Sequence, residues 1–217
     1  MIISFSKNFI FIRTRKTASS TIETVLRKGL EPGDVFVRAG GLRHRKDRTP
    51  EQKGAHSPQA VPVNEGENVA GHMGAADVRK LVPASFWNGC FRFTSERHPY
   101  EKAVSLAHYN FGKVKNSEGD FSEFLEETVQ RGNYRSFDQY AIDGEVVVSD
   151  FIRHETLVED LRRIGERIGV AVPAELPRKR TGFRTDRRPA AEVLSDEQKQ
   201  QVFRTCREEF ELLGYAP

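Results

Sequence analysis

The chain has 217 residues, of which 37% are hydrophobic and 30% charged, and its formal net charge is +3. That length suits one domain of ordinary size, and that charge is too small for a general polyanion binder. No apolar run approaches the length of a membrane span, and polar residues interrupt the first apolar residues too early for a signal peptide. The sequence therefore predicts a cytoplasmic protein, or a catalytic domain of a longer one, that neither spans a membrane nor binds nucleic acid.

An apolar stretch over residues 2–13 predicts a buried strand that ends in the cations Arg13, Arg15 and Lys16. Small hydroxylated residues follow, and apolar residues then recur at helical spacing over 17–28. A strand, a cationic turn and a helix N-terminus in this order aim backbone N–H groups and the positive end of the helix dipole at one point. Such a point suits a phosphate, which the lysine and the threonine hydroxyl after it would also contact. The alternative is a strand end with a solvated lysine.

This segment is not the common glycine-rich loop of nucleoside triphosphatases. That loop needs glycines directly before its lysine, and no glycine precedes Lys16. The phosphate site is therefore predicted from the order of elements and from charge, without the usual motif.

The middle of the chain carries a long segment without periodicity and then a second strand that ends on a cation. Residues 31–70 hold many glycines, prolines and charges and are predicted to be a loop or insertion. The stretch 88–97 alternates like a strand, and Pro99 opens a helix at its favoured first position. Three further stretches are predicted to be helical: 74–81, 121–129 and 134–142.

The last third of the chain predicts another strand and two capped helices. Residues 145–152 read as the third clear strand, Thr156–Glu159 as a capping box whose helix ends at Gly169, and Ser195–Gln198 as the cap of a final helix. Strands that alternate with helices indicate an α/β fold, here a single domain over 1–217 with a parallel central sheet flanked by helices. In such sheets, ligands bind at the carboxyl ends of the strands.

The two cysteines, Cys90 and Cys206, show neither metal-ligand spacing nor a disulfide framework. Cys90 lies in a strand-like run and Cys206 on the apolar side of a helix pattern, so both are predicted to be buried free thiols. No spacing typical of metal ligands occurs, and no metal is expected.

A second anion site is predicted where the second strand ends. Arg97 leaves that strand, and Ser105 lies two turns past His98 on the side of the helix entrance. A guanidinium and a hydroxyl so arranged can hold one phosphate, because arginine supplies planar bidentate donors. An N-terminal arginine with a surface serine is the alternative. Two phosphate sites at neighbouring strand ends indicate a nucleotide with two separated phosphate groups.

Together these motifs resemble the sulfotransferases that use 3′-phosphoadenosine 5′-phosphosulfate (PAPS), in particular the carbohydrate-type branch. In that family a strand followed by Lys-Thr and small residues binds the 5′-phosphosulfate, and here the matching residues are Arg15, Lys16, Thr17, Ala18, Ser19, Ser20 and Thr21. An Arg-x-Pro motif with a serine eight positions after the arginine binds the 3′-phosphate, and here these are Arg97, Pro99 and Ser105. The stretches 150–160 and 208–215 are also similar to the family.

The resemblance implies a P-loop-nucleotide-kinase-like sulfotransferase fold, PAPS as donor, adenosine 3′,5′-bisphosphate (PAP) as product, and a hydroxyl of a carbohydrate or small metabolite as acceptor. Sulfuryl transfer adds negative charge to the leaving phosphate, so Lys16 is expected to stabilise the transition state. Backbone amides of Ala18–Thr21 would position the donor.

The acceptor hydroxyl must lose its proton, so a base is expected. His72, in Gly-His-Met, resembles the segment that supplies the base in the uronic-acid enzymes. His56 is its main rival, and the other histidines also compete: His44, His98, His108 and His154. The basic stretch 178–188 resembles a late loop of the family, which implies that Arg180 or Arg184 reaches the 3′-phosphate.

Three residues depart from the family pattern. Arg15 replaces a proline, His98 replaces Asn or Asp, and Glu96 replaces an apolar residue, so that a carboxylate would oppose the phosphate unless it points away. Two other functions stay open: a nucleotide-dependent phosphotransferase, and a non-catalytic binder of sulfated glycans or nucleic acid through the basic stretches 38–48 and 178–188.

Overall fold

The structure, a computed structural model, describes residues 1–37, 72–113, 120–177, 182, 184 and 186–217. The strands are β1 (Ile2–Ser4), β2 (Phe9–Ile12), β3 (Val35–Phe36), β4 (Phe91–Glu96), β5 (Ala141–Ile142), β6 (Glu145–Val146) and β7 (Asp150–Arg153). The helices are α1 (Ser19–Leu26), α2 (Ala75–Leu81), α3 (Ala84–Gly89), α4 (Pro99–Phe111), α5 (Phe121–Arg131), α6 (Phe137–Tyr140), α7 (Leu157–Ile168), α8 (Ala190–Val193), α9 (Asp196–Thr205) and α10 (Arg207–Leu213).

The main sheet has the strand order β3-β1-β2-β4-β7. Strands β2, β4 and β7 are parallel, whereas β1 is antiparallel to both β2 and β3. The α/β class is thus confirmed, with one correction: the sheet is mixed, and only its last three strands are parallel. Ile12 pairs with Thr94, and Glu96 pairs with Arg153. This register brings the carboxyl ends of the three parallel strands together at one edge.

Two predicted strands are each interrupted in the structure. Residues 2–13 form a hairpin, β1 and β2, because the chain reverses at Asn8, whose φ is 54°. Residues 145–152 divide into β6 and β7, and β6 pairs with β5 across Asp143 and Gly144. Both of these turn residues have positive φ, the conformation that a two-residue hairpin requires. The Asp-Gly pair is therefore a local signal for a hairpin, whereas the sequence prediction for 134–142 was a helix.

Most predicted helices are confirmed, and their ends follow local chemistry. The capping box at Ser195 forms, with Ser195 Oγ accepting from Gln198 N at 3.2 Å. The capping box expected at Thr156 does not form, because its hydroxyl donates to Asp160 Oδ2 at 2.7 Å. Gly169, at φ 67°, ends α7 as predicted.

Apolar side chains that point alternately to the two sides of β2 pack against helices on both faces of the sheet. Phe9 and Phe11 pack with α1 and α7, while Ile10 and Ile12 pack on the opposite side with α2 and α6. A third cluster joins α4 to α5 and to the C-terminal helices. Cys90 and Cys206 are buried and free, as predicted.

Part of the predicted insertion is ordered sheet. Val35 and Phe36 form β3, which pairs with β1 as an edge strand, so the segment expected to be irregular from residue 31 begins with a strand. Residues 38–71 lie outside the described residues. In the described part of the chain, no helix is long and apolar enough to cross a membrane, and no cluster of three or more His, Cys, Asp or Glu residues is placed to hold a metal.

Candidate functional site

The loop between β2 and α1 has an unusual backbone. Lys16 and Ala18 have φ of 61° and 60°, whereas Thr17 between them is not in the positive-φ region. For residues with a Cβ this left-handed conformation costs about 1–2 kcal/mol each, and such strain is concentrated at functional sites. Alternation of this kind turns successive N–H groups toward one point. Ala18 is also the N-cap of α1, whose first N–H groups lack intrahelical acceptors. The loop therefore has the backbone arrangement of an anion cradle, built without glycine.

A cluster of buried hydroxyls fastens this loop to β4. Thr17 Oγ1 lies 2.9 Å from Thr14 Oγ1 and 2.8 Å from both Ser19 Oγ and Ser95 Oγ. Ser19 Oγ also donates to Thr14 O at 2.6 Å. These hydroxyls are buried and bonded to one another, and the contact of the Thr17 hydroxyl with a phosphate stays a prediction. The N–H groups of the loop are the donors that remain for an anion.

The residues on either side of Lys16–Ala18 differ in their contacts and exposure. Arg13 is buried, forms an ion pair with Glu23 and donates to Ser20 Oγ at 3.0 Å, so it stabilises the start of α1. Arg15 is exposed. Thr21 Oγ1 donates to Pro177 O at 3.0 Å, which attaches the chain just before the late basic stretch to this loop.

Lys16 lies against helix α4. Its Nζ is 4.4 Å from the centroid of the Tyr109 ring, and Lys113 Nζ is 4.2 Å from the same centroid. A cation over an aromatic face is held by the ring quadrupole. The first cationic corner, formed by Lys16 and its loop, is thus fixed to the C-terminal half of α4.

Arg97 follows β4 directly and forms a second cationic corner together with Arg184. Arg97 Nη2 donates to Glu101 Oε2 at 2.7 Å, and Arg184 Nη1 donates to the same oxygen at 2.6 Å. The two arginine side chains are only 15% and 16% exposed. Burial lowers the pKa of Arg97; Glu101 opposes this effect and the charge of Arg184 adds to it. Arg97 Nε is buried and has no hydrogen-bond partner among the described residues, so this guanidinium keeps donor capacity.

One face of α4 connects the two corners. Glu101, Ser105 and Tyr109 are four residues apart and therefore share a face of the helix. Eight residues at the α-helical rise separate Glu101 from Tyr109 by about 12 Å. Ser105, half-buried, lies midway between the Arg97 corner and the Lys16 corner. The structure thus brings Lys16, Arg97, Ser105 and Arg184 to one surface, whereas Arg180 lies outside the described residues.

Glu96 points away from this surface. It is fully buried, and its Oε2 accepts from Lys102 Nζ at 2.8 Å. Lys102 is also fully buried and lies 3.6 Å from Glu209. The carboxylate that the sequence placed beside a phosphate site therefore belongs to a core ion network. A lysine on the apolar side of α4 was the available signal, and sequence reasoning missed it.

The histidines differ in their surroundings. His72 is half-buried, two residues before Gly74, where a Cβ would lie 3.3 Å from Asp138 O, so α2 begins directly against α6. Its role as base stays a prediction. His98 Nε2 lies 2.9 Å from Ala216 O, which ties that ring to the C-terminal segment. His44 and His56 lie outside the described residues.

His108, on α4, is influenced by the charges of both cationic corners. Its ring stacks on Phe121 at 4.1 Å, and its Nε2 is buried without a hydrogen-bond partner in the described part of the chain. Burial first, and then the charges of Arg184 and Lys16, lower the pKa of His108. It is therefore a neutral imidazole between the two corners.

His154, directly after β7, should make stability depend on pH. Burial, followed by the charge of Arg97, lowers the pKa of His154 from 6.5 to about 4. Between these values the unfolded chain binds a proton that the folded protein does not, so stability is lost as the pH falls from 6.5 to about 4. The loss is at most about 3 kcal/mol, since the ring is partly exposed. Urea unfolding at pH 6.5 and pH 4 measures this loss of stability, with His154→Gln as the non-titrating control. An equal loss in the wild type and in His154→Gln would contradict the assignment to His154.

Comparison with known proteins finds a likeness among solved structures. No protein family model matches the chain, and no curated protein matches it. Among solved structures, the chain is similar to the mouse sulfotransferase SULT7A1 complexed with PAP, with a TM-score of 0.53 and 17% identity over 96% of this chain and 85% of that chain. At this identity the likeness establishes the fold: the chain has the α/β fold of that solved enzyme.

Proposed function

We propose that this protein is a PAPS-dependent sulfotransferase that transfers the sulfuryl group to a hydroxyl of a carbohydrate or small metabolite. The observation that carries the proposal is the pair of cationic corners at neighbouring strand ends, Lys16 with its N–H cradle and Arg97 with Arg184, joined by one face of α4. The shared fold adds support, because the solved sulfotransferase holds PAP, the product that this reaction would release.

Each corner suits one end of the donor. The N–H groups of the β2–α1 loop and Lys16 would hold the 5′-phosphosulfate, and Arg97, Ser105 and Arg184 would hold the 3′-phosphate. Guanidinium groups suit a terminal phosphate because they donate two parallel hydrogen bonds. The hydroxyl cluster behind Thr17 keeps the cradle rigid, so less of the binding energy is lost on ordering it.

In the proposed reaction, the bond between sulfur and the bridging phosphate oxygen breaks while the acceptor oxygen bonds to sulfur. The acceptor proton passes to a base, for which His72 is our candidate. The electron pair of the broken bond stays on the 5′-phosphate oxygen of PAP. Lys16 opposes the charge that develops there, and it does so more strongly in the transition state than in the bound donor.

Nucleotide binding tests the proposal before any acceptor is known. By calorimetry, the protein should bind PAP at micromolar concentration, and Arg97→Ala should weaken binding about 10- to 100-fold, as expected for a charge-assisted contact. The matched control is Arg131→Ala, which removes an exposed arginine of α5 paired only with Glu127 in the described contacts. Preference for Mg-ATP over PAP would favour the phosphotransferase, and absence of PAP binding would refute the proposal.

Transfer itself is measured with radiolabelled PAPS and a panel of hydroxylated carbohydrates and metabolites. His72→Ala should reduce transfer and leave PAP affinity unchanged, since a base acts on the acceptor. If binding instead falls steeply with salt and survives loss of Lys16, the non-catalytic polyanion binder is the better description.

A further inference from the structure

Both arginines of the second corner donate a hydrogen bond to Glu101, a residue for which the sequence predicts no role. Its Oε2 accepts from Arg97 at 2.7 Å and from Arg184 at 2.6 Å, and its Oε1 accepts from Ala190 N at 2.8 Å. One carboxylate therefore joins the end of β4, the first turn of α4 and the start of α8.

We infer that Glu101 is a positioning residue that assembles the 3′-phosphate corner, an inference that rests on the proposed function. Two guanidinium groups held at one point repel each other, and Arg184 indeed lowers the pKa of Arg97. Glu101 offsets this repulsion, and the two arginines with one carboxylate still carry a net charge of +1 (two minus one). The corner is stable before the anion arrives and remains attractive to it.

The hydrogen bonds of Glu101 also orient Arg97. The bond from Nη2 to the carboxylate restrains the planar guanidinium, and its buried Nε has no partner among the described residues. Glu101 itself does not contact the phosphate, because two anions in contact would repel. It acts through the arginines.

Glu101 is also an attachment point for the late basic stretch. Just before that stretch, Pro177 O accepts from Thr21 at 3.0 Å; within it Arg184, and just after it Ala190, donate to Glu101. The two attachments lie at the two cationic corners. Burial by itself would raise the pKa of Glu101, but the Ala190 hydrogen bond and the two arginines outweigh it and lower that pKa, so the carboxylate stays charged.

The inference and simple electrostatics predict opposite effects of Glu101→Gln on anion affinity. If Glu101 were only a nearby negative charge, Glu101→Gln would tighten binding of an anion. If it positions the arginines, the same substitution weakens binding, and only of nucleotides that carry a 3′-phosphate.

The test compares the affinities for PAP and for adenosine 5′-monophosphate (AMP), which lacks the 3′-phosphate. The Kd for AMP divided by the Kd for PAP measures the contribution of that phosphate. We expect Glu101→Gln to reduce this ratio about tenfold, while the Kd for AMP changes by less than about twofold. Adding it to a variant that lacks both Arg97 and Arg184 should cost little more, because Glu101 acts through these two arginines.

Glu123→Gln is the matched control. Glu123 is likewise the third residue of its helix, α5, and it is exposed, so this variant reproduces the change at the helix dipole without the arginines. Its ratio of the AMP Kd to the PAP Kd should equal that of the wild type. Amide exchange at Ala190 gives a readout without nucleotide, and it should be faster in Glu101→Ala than in Glu123→Ala.

The outcomes separate this inference from the proposed function. If the wild type binds PAP no more tightly than AMP, the proposed function fails and this inference fails with it. If the wild type prefers PAP and Glu101→Gln keeps the full preference or increases it, the proposed function stands and the positioning role is wrong.

Discussion

Lys16→Ala should lower the rate of sulfonate transfer by about 10²- to 10³-fold, the usual effect of removing one preorganised group from a developing charge. The Kd for PAP should rise by less than about tenfold, because the N–H groups of the loop still hold the phosphate. Single-turnover transfer from radiolabelled PAPS measures the first quantity, and calorimetry with PAP measures the second.

Lys113→Ala is the matched control for this experiment. Lys113 is exposed and contacts the same Tyr109 ring as Lys16, at 4.2 Å, from the C-terminal end of α4. It lies outside the loop, so its loss should change the transfer rate by less than about threefold. Full activity in Lys16→Ala would show that another group stabilises the leaving phosphate.

Lys102→Met should destabilise the fold by about 3–5 kcal/mol, because it leaves uncompensated carboxylates in the core. Lys102, Glu96 and Glu209 are all fully buried. The attraction of Glu96 and Glu209 outweighs the effect of burial and raises the pKa of Lys102, whereas burial raises the pKa of Glu96. Urea unfolding measures the loss. Lys80→Met is the matched control: Lys80 and Asp77 form an ion pair whose side chains are 62% and 56% exposed, so the change should stay within about 0.5 kcal/mol.

The pH dependence of the stability of Lys102→Met shows whether charge causes the destabilisation. Burial already raises the pKa of Glu96 above 4.5, and loss of the lysine removes the charge that opposes this rise, so the folded variant holds a proton that the unfolded chain releases. Stability of the variant should therefore fall as the pH rises, and the cost should be larger at pH 8 than at pH 5. Adding Glu96→Gln should recover part of the loss at pH 8. A cost independent of pH would mean that packing, and not charge, explains it.

The sequence by itself determined those features whose causes lie close together along the chain. The order of strand, cationic turn and helix at Lys16, the helix opened by Pro99 and the capping box at Ser195 each depend on neighbouring residues, and each is found in the structure. The likeness of the fold to a solved sulfotransferase agrees with the resemblance that two of these motifs carry. Even the β5–β6 hairpin had a local signal, in its Asp143-Gly144 turn.

Only the tertiary structure decided where the polar side chains of the site point. The bonds from Thr14 to Ser95 and from Arg184 to Glu101 join residues about eighty positions apart, and no local pattern encodes such pairs. From the sequence, the Glu96 carboxylate would repel a phosphate at Arg97, but in the structure Lys102 binds it in the core. The physical reason is that burial and hydrogen-bond partners come from packing, and packing depends on the whole chain. Local propensity sets which elements form, but the contacts between them set which charges remain for a ligand.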